Sequence, residues 1–363
     1  MEIELLTATD VRNLRPVELA PRERFNVFVG QNGQGKTNLL EAIYVVATLR
    51  SFRTARLADL IAFEHAEARL GARVTKHGLT RIYEVGLGPH ARRVQLDGKA
   101  VRPIARYFGG FNVVVFTPED LALPRGSPSE RRRFIDRAVF NQSSEYLGEI
   151  QDYEKVLKQR NSVLKQADGA LSPKLADLLA VYDRQLAELG LAIVKARGAF
   201  VATMQPELAS AFRAIARIDR EANVRYVTKT AGLDIAAFEA LLAESRARDL
   251  ATQSTHVGPH RDDLAFELDG HDAGGFASQG QLRAMVLAWK TAELALLARV
   301  HGDSPILLLD DVSSELDPAR NEYLFDHLAN QAAQCFITTT HEGHVLLRRD
   351  RADYRIENGQ ISS

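Results

Sequence analysis

Sulfur and tryptophan are scarce in this 363-residue chain, which has one cysteine, three methionines and one tryptophan. The single cysteine, Cys335, excludes an internal disulfide framework and suits a reducing cytosol. Charge of either sign is not in excess. The 46 Lys and Arg nearly cancel the 47 Asp and Glu, leaving a formal net charge of -1. No global basic field therefore draws the chain to nucleic acid, and any such contact must come from local patches. Every long apolar stretch is broken by Lys, Glu or Arg, so no membrane span is expected. The opening residues, MEIELL, are acidic and lack the basic start of a signal peptide, which points to a cytoplasmic protein. Internal repeats and low-complexity tracts are also missing.

What is present is an alternation of character along the chain. The length suggests roughly two domains. Residues 1–118 read as mixed α/β. RFNVFVG (Arg24 to Gly30) is a buried strand ending in glycine, and TNLLEAIYVVATL (Thr37 to Leu49) is the helix that follows. ARVTKHGLTRIYEVGLG and RRVQLDGKAV alternate polar and apolar, as antiparallel strands do, with LDGK (Leu96 to Lys99) as a turn. Residues 119–249 change to charged helical periodicity, with Ser172 and Pro173 opening a long helix and Pro206 interrupting the next. Residues 250–363 return to α/β, ending in a hairpin at YRIENGQI. The expected fold is an α/β head of mixed sheets, 1–118 with 250–363, split by a mainly helical lid, 119–249.

GQNGQGKT (Gly30 to Thr37) fits the phosphate-loop pattern, and it lies between a strand and a helix, where that pattern has meaning. Gly30, Gly33 and Gly35 let backbone N–H groups approach phosphates, with Gln31, Asn32, Gln34 and Asn38 completing the loop. Lys36 would reach the β- and γ-phosphates, and Thr37 would bind Mg²⁺. ILLLDDVSSELD (Ile306 to Asp317) carries Asp310 to the end of an apolar strand as the second Mg²⁺ residue, with Asp311 placed to orient or deprotonate water. His341, after the strand CFITTT, is placed to sense the γ-phosphate or align water. A second phosphate-facing helix start follows Ser278, with Leu282, Met285, Trp289 and Leu296 on one amphipathic face.

Two such helix starts in one chain, joined to the acidic strand, resemble an ATP-binding-cassette type of head. The resemblance implies that two chains pair head to tail around two ATP molecules. Ser278, Gln279, Gly280 and Gln281 would then complete the partner's site, and the loop Ser314, Glu315, Leu316 and Asp317 would line the same interface. Arg12 and Asn13 take the place of an Arg–Asn pair that touches nucleotide in similar heads.

Within this class the chain resembles the RecF family. The residues that carry the resemblance are NGQGKTNLLEAI (Asn32 to Ile43), SFR (Ser51 to Arg53), GSPSERRRFID (Gly126 to Asp136), VGPHRDD (Val257 to Asp263), SQGQLR (Ser278 to Arg283) and LLLDDVSSELD. It implies a weak, DNA-stimulated ATPase that dimerises with ATP on DNA at gaps or duplex–single-strand junctions. It implies work with the RecO and RecR proteins to place RecA on gapped DNA, in recombination, replication and the SOS response to DNA damage. Three departures stand out. Gln279 replaces the glycine of transporter signatures, Asp311 replaces a glutamate, and Thr117 stands where a glutamine often marks the loop between lobes. A transporter-type ATPase subunit is the alternative, and the arginine-rich helical insertion argues against it.

Two basic clusters are candidates for DNA phosphates, Arg50, Arg53 and Arg56, and Arg131, Arg132, Arg133 and Arg137, extended by Lys155, Lys158, Arg160 and Lys165. Few aromatics are interleaved, which disfavours base stacking. Glu130, Asp136, Glu149 and Asp152 are interspersed, so solvated helix faces are the competing reading. In GPHRDD, the residues His260, Asp262 and Asp263 fit no standard metal spacing and read as structural, joining the insertion to the head.

Overall fold

A computed structural model describes residues 1–22, 24–167, 169–331 and 334–362. The chain divides into two compact units, 1–122 with 211–218 and 279–363, and 123–210 with 219–278. The first unit holds two six-stranded sheets. One is antiparallel, in the order β2 (Val17–Leu19), β1 (Glu2–Thr9), β4 (Ala68–Lys76), β5 (Leu79–Leu87), β6 (Arg92–Leu96), β7 (Lys99–Ala100). Its expected turn is a tight one, with Asp97 and Gly98 at φ 52° and 72°, the left-handed geometry that Asp-Gly hairpins favour.

The other sheet runs β15 (Gln360–Ser362), β14 (Arg351–Glu357), β3 (Phe25–Val29), β13 (Cys335–Thr339), β12 (Ile306–Asp310), β8 (Val113–Phe116). All its neighbours pair parallel except the terminal hairpin of β14 and β15. Helix α1 (Lys36–Thr48) packs against strands of both sheets, β4 and β5 on one side and β8, β12 and β13 on the other. Its residues 39–48 are all buried, so it lacks the polar face of a surface helix. Helix α9 (Gln279–His301) departs from the amphipathic expectation in the same way. Beside Leu282, Met285, Trp289 and Leu296, its buried residues include Ala284, Val286, Leu287, Ala288 and Ala292. The rest of the unit is α2 (Pro118–Leu121), α10 (Val312–Glu315) and α11 (Pro318–Gln331).

The second unit contains α3 (Pro128–Gln142), α4 (Glu145–Ala167), most of α5 (Pro173–Ala216), α6 (Ile235–Glu244), α7 (Arg246–Thr252) and α8 (Ala273–Phe276). Pro206 does not interrupt a helix but lies inside the 44-residue α5. Met204 and Leu208 on either side of it are buried, and burial of this face offsets the missing N–H. The unit also extends beyond the expected boundary at 249. Strand β10 (Asp263–Leu268) pairs with β9 (Ala222–Val227) and with β11 (His271–Asp272), so 250–278 goes with the helices.

GPHRDD is the hub of this unit. Arg197, 4% exposed, holds Asp136 at 2.8 Å and donates to the Pro259 carbonyl at 2.8 Å and to Tyr146 Oη at 2.9 Å. Tyr226 Oη donates to Asp262 at 2.5 Å, and Arg131 forms a two-pronged bond to Asp263 at 2.6 and 2.7 Å. The stretch thus joins α3 and α5 to the sheet of the second unit. Among the described residues no group of three or more His, Cys, Asp or Glu could cage a metal ion.

Candidate phosphate site at one edge of the parallel sheet

Strands β3, β13, β12 and β8 are adjacent and parallel, so the segments that follow them leave the same edge. Those segments are 30–37, 340–341, 311 and 117–119. Carboxyl edges of parallel sheets are where open α/β folds bind ligands. A cavity of about 340 Å³ opens there, lined by Asn32, Gly33, Gly35, Lys36, Thr37, Asn38, Phe52, Arg53, Pro118, Glu119, Asp310 and Asp311.

The phosphate loop is braced on all sides. Lys36 is 6% exposed, and its ammonium donates to the carbonyls of Gly30 at 2.7 Å and Gln31 at 3.0 Å. Burial lowers its pKa, while Asp311 and Asp310 pull it back up. Two loop glycines have different physical reasons. Gly33, at φ +81°, has no heavy atom within 4 Å of an added Cβ and supplies left-handed backbone. Gly30 is a packing glycine, because an added Cβ would come within 2.4 Å of the Ile356 carbonyl. Gln34 joins the loop to the terminal hairpin, since its carbonyl accepts from Gly359 N–H at 3.0 Å.

Thr37 and Asp310 converge. The Thr37 hydroxyl donates to Asp310 Oδ1 at 2.9 Å, and Thr338 donates to the same oxygen at 2.7 Å. Burial raises the Asp310 pKa, the two hydroxyls oppose that, and Glu119 and Asp311 add to it. Asp311 stands in the left-handed region at φ 49°, and its Oδ1 is buried without a hydrogen-bond partner. A hydroxyl beside a buried carboxylate, with a second carboxylate oxygen unsatisfied, suits a hard divalent cation with oxygen ligands. His341 is exposed after β13, edge-on to the His344 ring at 5.5 Å, and is not among the cavity-lining residues.

Several of the expected residues are engaged with protein partners. Arg12 does not line the cavity but clasps Glu41 through Nε and Nη2, both at 3.2 Å. Asn13 is a brace, donating to the Gly33 carbonyl at 2.7 Å and accepting from Asn38 at 2.6 Å. Arg53, expected on DNA, lines the cavity and bonds Asn38 at 2.7 Å and Glu41 at 3.3 Å. Arg131 is engaged by Asp263, Arg132 donates to the Asp262 carbonyl at 2.8 Å, and Arg160 is fully buried between Asp183 and Asp249. Arg50 is half-buried, while Arg56 and Arg133 are exposed.

Glu41 was missed. It is fully buried one turn beyond Thr37, accepting from Arg12, Arg53 and, at 2.5 Å, the Ser51 hydroxyl. Glu119, Pro118 and Phe52 were missed as well. A glutamate in the middle of a buried helix is the available signal for the first, and TPED directly after a strand for the second.

The signature residues begin at exposed Ser278 and Gln279, with Gly280 and Gln281 in the first turn of α9. Gly280 lies under the Arg320 guanidinium, 3.0 Å from an added Cβ. Arg320 pairs with Asp317, and Arg283 holds the Glu315 carboxylate at 3.0 Å and donates to the Glu315 carbonyl. Ser314 in turn donates to the Asp311 carbonyl at 2.7 Å.

Residues 2–84 match the family described as RecF/RecN/SMC N terminal domain. The DNA replication and repair protein RecF of Myxococcus xanthus (strain DK1622) is 42% identical over 349 residues, covering 94% of this chain and 91% of that one. Its namesake from Geobacter sulfurreducens is 38% identical over the full length of both. The chain belongs to the RecF family. RecF membership displaces the transporter-type alternative. A solved structure of the recombination mediator protein RecF-ATPrS in the RecFOR pathway superposes with a TM-score of 0.89 at 29% identity, covering 99% of this chain and 97% of that one. An Smc head bound to the C-winged helix domain of ScpA shares the fold, with a TM-score of 0.56 at 14% identity.

Proposed function

We propose that this RecF-family chain is an ATP-driven DNA-binding switch of recombinational repair and replication-gap maintenance, acting with RecO and RecR proteins in the cytoplasm. The observation that carries the reading is the convergence of Lys36, Thr37, Asp310 and Asp311 on one cavity at the edge of the parallel sheet. The ammonium of Lys36 exchanges its two loop carbonyls for the β- and γ-phosphate oxygens of ATP. Backbone N–H groups of 33–37 cradle the phosphates at the start of α1. Thr37 and Asp310 would hold Mg²⁺, which would supply positive charge against that of the phosphates. Asp311 orients the attacking water, and a carboxylate one methylene shorter than glutamate fits slow hydrolysis. Ser278 and residues 279–281 meet the γ-phosphate held by a second copy, so ATP favours pairing by mass action and its hydrolysis releases it.

The test measures binding to gapped duplex DNA, and sedimentation, with and without ATP. The wild type should dimerise and bind more tightly with ATP, and Lys36→Ala should lose both gains while keeping its fold. Equal binding by both proteins, with or without ATP, rejects the switch.

A further inference from the structure

We propose that Glu119 is a third acidic residue of the phosphate cavity, steering the divalent cation and its water shell. This deepens the nucleotide reading above and rests on it. Strand β8 is the sheet neighbour of β12, with Phe116 opposite Leu309, so the chain leaving β8 emerges beside Asp310. Its direction is fixed locally. Thr117 and Asp120 form a reciprocal capping box, the Thr117 N–H donating to Asp120 at 3.2 Å, and Pro118 occupies the first helical position. The two acids of this turn therefore differ. Asp120 is 4% exposed and faces inward, with Lys290 at 3.8 Å. Glu119 is exposed and lines the cavity with Lys36, Thr37, Asp310 and Asp311. Thr117, at the position where a glutamine was sought, serves as a helix cap, and the polar side chain that reaches the cavity comes two residues later.

Charge decides what Glu119 does there. Three carboxylates and two cations, Lys36 and Arg53, line a cavity meant for a polyanion. Towards bare phosphates Glu119 is repulsive, and towards a hydrated divalent cation it is attractive. The described carboxylates do not approach closely enough to cage an ion. Magnesium usually keeps several waters beside one or two protein ligands, so Glu119 acts through those waters. An acid at the first turn of a helix could serve the helix dipole alone, and that role would not depend on the cation.

Calorimetric titration of the full chain with the non-hydrolysable analogue AMP-PNP separates the two roles, in EDTA and across a Mg²⁺ series. Glu119→Gln should tighten binding about threefold in EDTA and raise the Mg²⁺ needed for half-maximal binding about tenfold, effects of opposite sign. Thr37→Ala is the comparison for loss of a direct cation contact. Unchanged titrations for Glu119→Gln, or tighter binding under both conditions, overturn the proposal. Failure of the wild type to bind AMP-PNP with Mg²⁺ is a different result, because it removes the nucleotide reading itself and the proposal with it.

Discussion

Acidification should destabilise the second unit through His260. The ring is held in its neutral form from both sides. Nε2 lies 3.0 Å from the Thr255 carbonyl, which can only accept, so Nε2 carries the proton. Nδ1 then accepts from Tyr153 Oη at 2.6 Å. Burial is the main reason a second proton is disfavoured, and Arg261, Arg132 and Arg160 add repulsion, lowering the pKa from 6.5 to about 4. A depressed folded-state pKa on a base stabilises the fold above pH 6.5, and this stability drains away as pH falls through about 4. The full difference is about 3 kcal/mol, most of it gone by pH 4.5. Carboxylates titrate in the same range, so the measurement is a difference: urea denaturation of wild type and His260→Gln at pH 7.5 and pH 4.5. The variant should be less stable at pH 7.5 and lose less on acidification. Parallel pH curves for the two proteins would refute the argument.

Removing the buried Glu41 carboxylate leaves Arg12 and Arg53 without their shared partner. Both arginines are partly solvated, at 25% and 44% side-chain exposure. The cost of Glu41→Ala should therefore be about 2–3 kcal/mol, below the usual range for a broken buried pair, and visible as a melting temperature lowered by about 5–10 °C. The two loop glycines should separate in the same assay. Gly33→Ala should cost about 1 kcal/mol of left-handed strain and keep the fold. Gly30→Ala drives a Cβ into the backbone of β14 and should cost several times more, with soluble yield falling as well.

The chemistry most legible in the sequence was local. A strand, a glycine loop and a lysine at a helix start form one contiguous signal, and so does an apolar strand ending in two acids. The hairpins at Asp97–Gly98 and Asn358–Gly359 were legible for the same reason, since both positions of each turn have φ between 48° and 77°. What escaped depends on residues distant in sequence. Arg53 looked like a surface arginine because its partner Glu41 is a lone acid among the apolar residues 39–47 of the preceding helix. Arg160 looked solvated among lysines, yet its partners Asp183 and Asp249 come from two other helices. Pro206 read as a break because propensity knows nothing of Met204 and Leu208 packing on either side of it. The boundary near 249 was misplaced because pairing of β9 with β10 spans the residues of α6 and α7.

Two arginines tie the start of α9 to the segment after Asp311, Arg283 through Glu315 and Arg320 through Asp317 and Gly280. Ser314 then binds the Asp311 carbonyl itself. These clips make one mechanical piece of a surface turn and a cavity wall. A push on Gln279 from outside reaches the Asp311 backbone within a few bonds and contacts. The same contacts run in reverse, from the Asp311 backbone out to the surface around Gln279.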